Sequence, residues 1–205
     1  KLSDLVPNHA SSRRFDYIFI EDKLLEGDNL SACDRVERMF SEGKSDSFLL
    51  KHLSLCKIFS GDINSSRLVV ELLNELDPAD KNFFTLASVL MDGEGPDFSS
   101  FEVLSPLHLA MIKAAKLKIP EGMIDGVSPV VLKTMAESPN TSLSTRISAA
   151  ESAVDLGILN IEKLSAIYSN IVFDEERVNK DSLDDKLKEL ISAENPSGNE
   201  KSNCI

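Results

Sequence analysis

The sequence predicts an all-α fold of stacked antiparallel helix pairs. Apolar residues recur three and four positions apart over most of the chain, as they do on the buried face of a helix. Glycines, prolines and capping residues divide the chain into about eight or nine short helical segments with short connections. Two arrangements of such pairs stay open, a degenerate α-solenoid and a compact helical bundle, because the sequence has no strict internal repeat.

The first 28 residues are the least regular part of the sequence. Residues 15–20 combine aromatic and β-branched side chains, which are typical of strands. No second strand is evident to pair with them, and an unpaired strand is unstable. We therefore expect residues 1–28 to form an irregular or extended segment that lies over the helical core.

The helical domain is predicted over residues 29–192. Its first two helices are each marked by capping residues at the start and by a glycine at the end. These markers are Asn29 or Ser31 with Gly43, and Asp46 or Ser47 with Gly61.

A third helix is predicted from Asn64 or Ser65 to the residues before Pro78, because proline disfavours helix in the residue that precedes it. Its apolar side chains at helical spacing are expected to face the core. They are Leu68, Val69, Leu72, Leu73 and Leu76. A fourth helix ends at Gly93, and the glycines and proline that follow predict a hinge at residues 93–104.

Two further helix starts are marked by a serine followed by proline, at Ser105 and Ser128. Serine is a good N-cap, and proline is well tolerated at the first helical position. Later helices are predicted over residues 146–156, 161–168 and 183–191. The polar residues 193–205 have little to bury and are expected to be disordered.

Residues 105–110, Ser-Pro-Leu-His-Leu-Ala, are similar to the Thr-Pro-Leu-His-x-Ala signature of ankyrin repeats. The signature does not return about 33 residues earlier or later, and an ankyrin array needs about three repeats to bury a core. We therefore favour a simple helix start that is followed by an inward-facing His108.

The charge of the chain and the length of its apolar runs argue against two classes of partner. Lys and Arg number 22 against 34 Asp and Glu, so the formal net charge is -12. This charge repels the phosphates of nucleic acids. No apolar run reaches the roughly 18 to 20 residues that cross a bilayer. The sequence therefore predicts neither nucleic-acid binding nor membrane insertion.

The common enzyme motifs are missing from the sequence. It has no phosphate-binding loop, dinucleotide-binding glycine pattern, nucleophile elbow or zinc-protease helix. A calcium loop counted from Asp92 would have Asp97 in place of the required glycine and Val103 in place of the final glutamate. We accordingly predict no catalytic residue, no cofactor and no enzymatic activity.

The three cysteines, Cys33, Cys56 and Cys204, are too few and too irregularly spaced for a disulfide framework. A reduced chain without disulfides is therefore expected. His52 lies one helical turn before Cys56, so these two residues and Cys33 are the candidate ligands for zinc. The favoured interpretation is a packed histidine and buried thiols, because leucines flank His52 and buried cysteine behaves as a small apolar residue.

The runs at residues 106–115, 128–132, 146–157 and 164–168 resemble a helical region of large uncharacterised alphaproteobacterial proteins. The resemblance covers residues 46–171. It implies a bacterial helical-repeat segment of a longer polypeptide, in the cell envelope or exported, with no established activity and no functional residues to transfer. A cytoplasmic location stays open.

These observations favour a non-enzymatic module or scaffold that binds another protein through a helical surface. The sequence defines neither that partner nor the oligomeric state. The alternative is a helical domain that holds a small ligand or a metal in a pocket between helices. Its polar centres would be Cys33, His52, Cys56 and His108.

Overall fold

The computed structural model describes residues 9–93, 95–96, 98, 101, 103–119 and 121–169. These residues form nine α-helices and no strand, which confirms the predicted all-α class. The helices are α1 (His9–Glu26), α2 (Asn29–Ser41), α3 (Ser47–Phe59), α4 (Ile63–Leu76), α5 (Lys81–Asp92), α6 (Pro106–Ala114), α7 (Pro129–Glu137), α8 (Leu143–Asp155) and α9 (Ile161–Ser169).

The expectation of an irregular or extended segment over residues 1–28 is wrong for residues 9–26, which form the 18-residue helix α1. Ile20 and Leu24, one turn apart on this helix, are buried. The helix packs against α2 and α6, and such burial outweighs the strand preference of the aromatic and β-branched residues. Residues 1–8 lie outside the described part of the chain.

Aspartates cap four successive helices. Asp28, Asp46, Asp62 and Asp80 precede α2 to α5, and the carboxylate of each accepts a backbone N–H in the first turn. Asp46 is one of the two caps that the sequence predicted for its helix. The starts of α2 and α4 were placed one to three residues too late, because Asp competes with Asn and Ser as a cap and its charge also suits the helix N-terminus.

The predicted serine caps of α6 and α7 are confirmed. Ser105 and Ser128 are the N-cap residues, and each is followed by proline at the start of its helix. The hydroxyl of Ser105 accepts the backbone N–H of His108 at 3.2 Å. Ser128 makes no side-chain cap hydrogen bond, so the proline and the extended serine backbone mark that start.

Two compact units divide the chain, Lys1–Ile167 and Tyr168–Ile205. Residues on both sides of the expected hinge at 93–104 belong to the first unit, and the hinge stays a prediction. Only the first two residues of the second unit are described. The helix predicted over residues 183–191, the end of the domain predicted over 29–192 and the tail predicted over 193–205 therefore lie outside the described residues.

Helices that follow one another in the chain pack together from α1 to α8, as antiparallel pairs require. In addition, α1 packs against α6 and α3 packs against α5. A solenoid repeat contacts only its neighbours. The α1–α6 contact therefore favours a compact bundle for the first six helices.

The predicted inward face of α4 is wrong at three of its five positions. Leu73 is buried and Val69 is half-buried, but Leu68, Leu72 and Leu76 are 67%, 44% and 63% exposed. The polar Ser66 is buried instead, and its hydroxyl lies 2.9 Å from the hydroxyl of Ser54 on α3. This hydrogen bond satisfies two buried hydroxyls. Ser66 can therefore be buried, although a pattern of apolar residues alone predicts that a serine there is exposed.

Candidate functional site

The expectation of a chain without disulfides is wrong. Cys33 on α2 and Cys56 on α3 form a disulfide, with their Cα atoms 5.5 Å apart. The two helices are joined by a short connection and pack side by side, which brings the sulfurs together. Zinc binds cysteine as a free thiolate, so the two sulfurs are not available as ligands in this structure.

His52, the third candidate ligand, is buried in an aromatic stack. Its ring lies 4.0 Å from the ring of Phe48, which lies 4.0 Å from the ring of Tyr17 on α1. His52 Nδ1 donates a hydrogen bond of 2.7 Å to the carbonyl of Phe48. Its Nε2 is buried and has no hydrogen-bond partner. Burial lowers the pKa of His52 from 6.5 to about 4, which keeps the ring neutral at pH 7.

The same stack continues to a carboxylate at its outer end. The Tyr17 hydroxyl donates a hydrogen bond to Asp46, which also caps α3 by accepting the backbone N–H of Leu49. Burial, together with this hydrogen bond, raises the pKa of Tyr17 to about 12. The stack therefore connects α1 to α3.

His108, the fourth polar centre, lies in a different buried cluster. Its Nε2 donates to the carboxylate of Asp80 at 3.0 Å, and Lys51 on α3 reaches the other oxygen of Asp80 at 2.9 Å. Burial alone would raise the pKa of Asp80, but the hydrogen bonds from His108, Lys51 and the backbone of Phe83 outweigh it and hold this pKa well below its ordinary value. The cluster therefore joins α3, α5 and α6.

Ser105, His108 and Asp80 are the residue types of a nucleophile, a base and its orienting acid. Their geometry differs from that arrangement. His108 Nδ1 accepts the backbone N–H of Ser105 at 3.1 Å, while the Ser105 hydroxyl accepts the backbone N–H of His108. Within the described part of the chain no hydroxyl is hydrogen-bonded to this imidazole, so the three residues form a helix cap that is held by a carboxylate.

Sequence reasoning missed Asp80 and Lys51. The N-cap preference of aspartate before an apolar helical run could have identified Asp80 as a cap. Its pairing with His108 joins residues 28 positions apart, and no local pattern carries that information. Among the described residues, no group of three or more His, Cys, Asp or Glu is arranged to hold a metal ion.

A groove of about 280 Å³ lies between α1, α6 and α7. Leu25, Lys113, Thr134 and Ser138 line both this groove and a narrow apolar pocket beside it. The groove carries charges of both signs, from Asp22, Glu26, Lys113, Lys133 and Glu137. The Lys113 ammonium lies 3.5 Å from the carbonyl of Leu25 near the end of α1.

The outer face of α4 carries three exposed leucines. We call Leu68, Leu72 and Leu76 the leucine row, since they are four residues apart and lie next to one another along the helix surface. The other exposed leucines of the described chain, such as Leu30 and Leu156, lie on different helices or turns. Single exposed apolar residues are common on protein surfaces, but adjacent ones form a patch that suits a partner.

Two acidic residues flank the leucine row. Glu71 and Glu75 are exposed, each immediately precedes a leucine of the row, and neither forms an ion pair within the described chain. Arg67, the basic residue of α4, pairs with Asp92 on α5 at 2.7 Å. The outer face of α4 therefore combines apolar side chains with two carboxylates that form no ion pair in the described chain, although Glu71 also acts electrostatically on Arg67 one turn away.

No helix in the described part of the chain is both long enough and apolar enough to cross a membrane. No known family model matches the chain, and neither the curated proteins nor the solved structures contain a significant match.

Proposed function

We propose that this chain is a non-enzymatic helical module that binds another protein. The observation that carries the proposal is the leucine row on α4, whose three side chains are 44% to 67% exposed. Their spacing of four residues is that of anchors in helix-to-groove and helix-to-helix recognition. Burial of such side chains by a partner removes apolar surface from water, which is the main driving force of association.

The chemistry of the buried clusters supports a structural role for them. The His108 ring is held by a backbone amide and by Asp80, and the His52 ring is held by Phe48. Among the described residues, neither imidazole is hydrogen-bonded to a hydroxyl or a thiol, so a role in packing accounts for each of them. The disulfide between α2 and α3 supports a location in an oxidising compartment, such as the cell envelope or the exterior, because disulfides persist there.

Affinity capture from the lysate of the source organism tests the proposal with three forms of the chain. These are the wild type, Leu68→Ser with Leu72→Ser, and the control Leu30→Ser with Leu156→Ser. The control pair changes two leucines that are also exposed. We expect the wild type and the control to retain the same protein in stoichiometric amount, and the α4 variant to lose it. Equal retention by all three forms would contradict a role for the leucine row.

The groove between α1, α6 and α7 supports a second candidate function, the binding of a small ligand. Its volume of about 280 Å³ lies near the lower end of the range for small-molecule sites. Its apolar neighbour and its charges of both signs would suit a small zwitterion with an apolar part. A thermal-shift screen of small zwitterions such as free amino acids, with the wild type and with Thr134→Trp, which fills the groove, tests this candidate. If a compound stabilises both forms equally, the groove is not its binding site.

A further inference from the structure

We infer that the partner of the leucine row is an amphipathic helix with lysine or arginine beside its apolar face. This inference rests on the proposed function, since it assigns the chemistry of the partner to the same surface. From Leu68 to Leu76 the row spans about 12 Å along the helix axis, at about 1.5 Å per residue. Two helical turns of a partner present apolar side chains over the same distance.

The charges beside the leucine row indicate which charge the flanking residues of the partner carry. Glu71 and Glu75 lie on the exposed side of α4, and the only basic residue of that helix already pairs with Asp92. An apolar partner that covers the leucines would bring its own flanking residues close to these two carboxylates. Basic residues there gain an attraction that grows as water is excluded, while acidic residues are repelled.

Two other occupants fit these charges less well. A second copy whose α4 packs antiparallel on this one about a two-fold axis would place the same surface against itself, so Glu71 and Glu75 would lie near the same two carboxylates of the other copy. An anionic lipid surface would repel both carboxylates and the chain as a whole, whose net charge is -12. A basic helix avoids both kinds of charge repulsion.

A pair of synthetic peptides provides the probe. Both are amphipathic helices of about 15 residues with a leucine at every fourth position, and the flanking positions carry lysine in one and glutamate in the other. Fluorescence anisotropy measures the binding of each labelled peptide to the full chain. We expect the lysine peptide to bind at least about tenfold more tightly, and Leu68→Ser with Leu72→Ser to abolish its binding.

Charge reversal separates the local effect from the general attraction of a basic peptide to an acidic protein. Glu71→Lys with Glu75→Lys is expected to transfer the preference to the glutamate peptide. The control, Asp155→Lys with Glu162→Lys, alters two other exposed acids by the same total charge and is expected to keep the original preference. If the control weakens the lysine peptide as much as the α4 pair does, or if both peptides bind equally, the inference is wrong.

The same variants distinguish this inference from the proposed function. If capture from lysate depends on Leu68 and Leu72 but not on Glu71 and Glu75, a partner exists and the inferred basic helix is wrong. If capture does not depend on the leucines, the proposed function itself fails. Sedimentation adds one more outcome. A dimer of the wild-type chain that Leu68→Ser with Leu72→Ser dissociates would assign the leucine row to a second copy and overturn the inference.

Discussion

The two buried histidines of the described chain lie in different chemical surroundings. His108 has a hydrogen-bond partner at each ring nitrogen, the backbone N–H of Ser105 and the carboxylate of Asp80. His52 has one partner, the carbonyl of Phe48, and its Nε2 is buried without another. The same residue type therefore acts as a polar link between helices at one site and as a flat packing residue at the other.

The two sites also differ in what holds the neighbouring helices together. Around His108, α3, α5 and α6 are joined by a carboxylate with an imidazole and an ammonium on its oxygens. Around His52, α1 and α3 are joined by stacked rings, and the disulfide at Cys56 lies one turn further along α3. Loss of one polar partner should therefore be costly at the first site, while the second should depend on packing and on the covalent bond.

The largest effect is expected for Asp80→Ala. This change removes the N-cap of α5 and leaves the His108 Nε2–H without its acceptor and the Lys51 ammonium without its nearest carboxylate. The expected loss of unfolding free energy is about 3 to 4 kcal/mol, of which the cap accounts for about 1. Urea denaturation of the purified chain measures it.

Asp62→Ala is the matched control for that substitution. Asp62 caps α4 by accepting the backbone N–H of Ser65 at 3.2 Å, and it has no ion pair within the described chain. Its loss removes only a capping hydrogen bond and should cost clearly less than the loss of Asp80. If both variants lose the same free energy, the contribution of the His108 and Lys51 partners is negligible and the difference between the two histidine sites disappears.

The second effect concerns the disulfide beside the His52 site. Cys33 and Cys56 are 23 residues apart in sequence, and closing a loop of that length stabilises a folded chain by about 3 kcal/mol. Cys33→Ser with Cys56→Ser is expected to lower the denaturation midpoint accordingly. Added reductant should destabilise the wild type and leave the double variant unchanged.

Thiol titration in denaturant checks the bond itself. Cys33 and Cys56 are joined, so reduction should release two further reactive thiols. Three reactive thiols in the chain as isolated from an oxidising compartment would show that the bond does not form. The site around His52 would then rest on packing alone.

The third effect is a loss of stability in mild acid. His52 has a pKa of about 4 in the folded chain, below its ordinary value of 6.5, because it is buried. Between these two values the unfolded chain binds more protons than the folded chain, so stability is full above pH 6.5 and falls as the pH drops towards 4. The loss from this residue should reach about 2 to 3 kcal/mol.

The Asp80 carboxylate acts in a lower pH range. Its pKa is held below the ordinary value of 3.8, so its stabilisation is present above that pH and is lost only as the pH falls further. Denaturation midpoints between pH 7 and pH 4 in the wild type and in His52→Leu isolate the histidine. If the denaturation midpoint falls equally steeply with decreasing pH in both forms, groups other than His52 cause the acid sensitivity.

The sequence predicts the all-α class, most helix ends and the two serine-proline helix starts because local chemistry sets them. Glycines such as Gly43 and Gly61 adopt positive φ at helix ends, and Ser105 with Pro106 starts α6. These signals need no information from distant residues. They do not identify which face of a helix is covered. The leucine row on α4 was therefore predicted to face the core, although it is exposed.

The candidate sites were predictable only in part. The interior position of His108 follows from the apolar residues around it, and the helical spacing of His52 and Cys56 is correct. What these residues contact depends on pairs that are distant in sequence, such as Cys33 with Cys56 and Asp80 with His108. Only the packing of α2 on α3 and of α5 on α6 brings those pairs together.

The smallest effect is expected for His52→Leu. Replacement of each histidine with leucine at pH 7 compares the two sites directly. His52→Leu removes a buried nitrogen that has no partner and keeps an apolar side chain against Phe48. It should change the unfolding free energy by less than about 1 kcal/mol, since removal of an unsatisfied polar group offsets the altered packing. His108→Leu removes one of the hydrogen bonds to the buried side of Asp80 and leaves the Ser105 N–H without its partner, and it should cost about 2 to 3 kcal/mol. An equal loss in both variants would mean that the hydrogen bonds of His108 add nothing beyond the packing of its ring, because the two substitutions differ mainly in the partners that they strand.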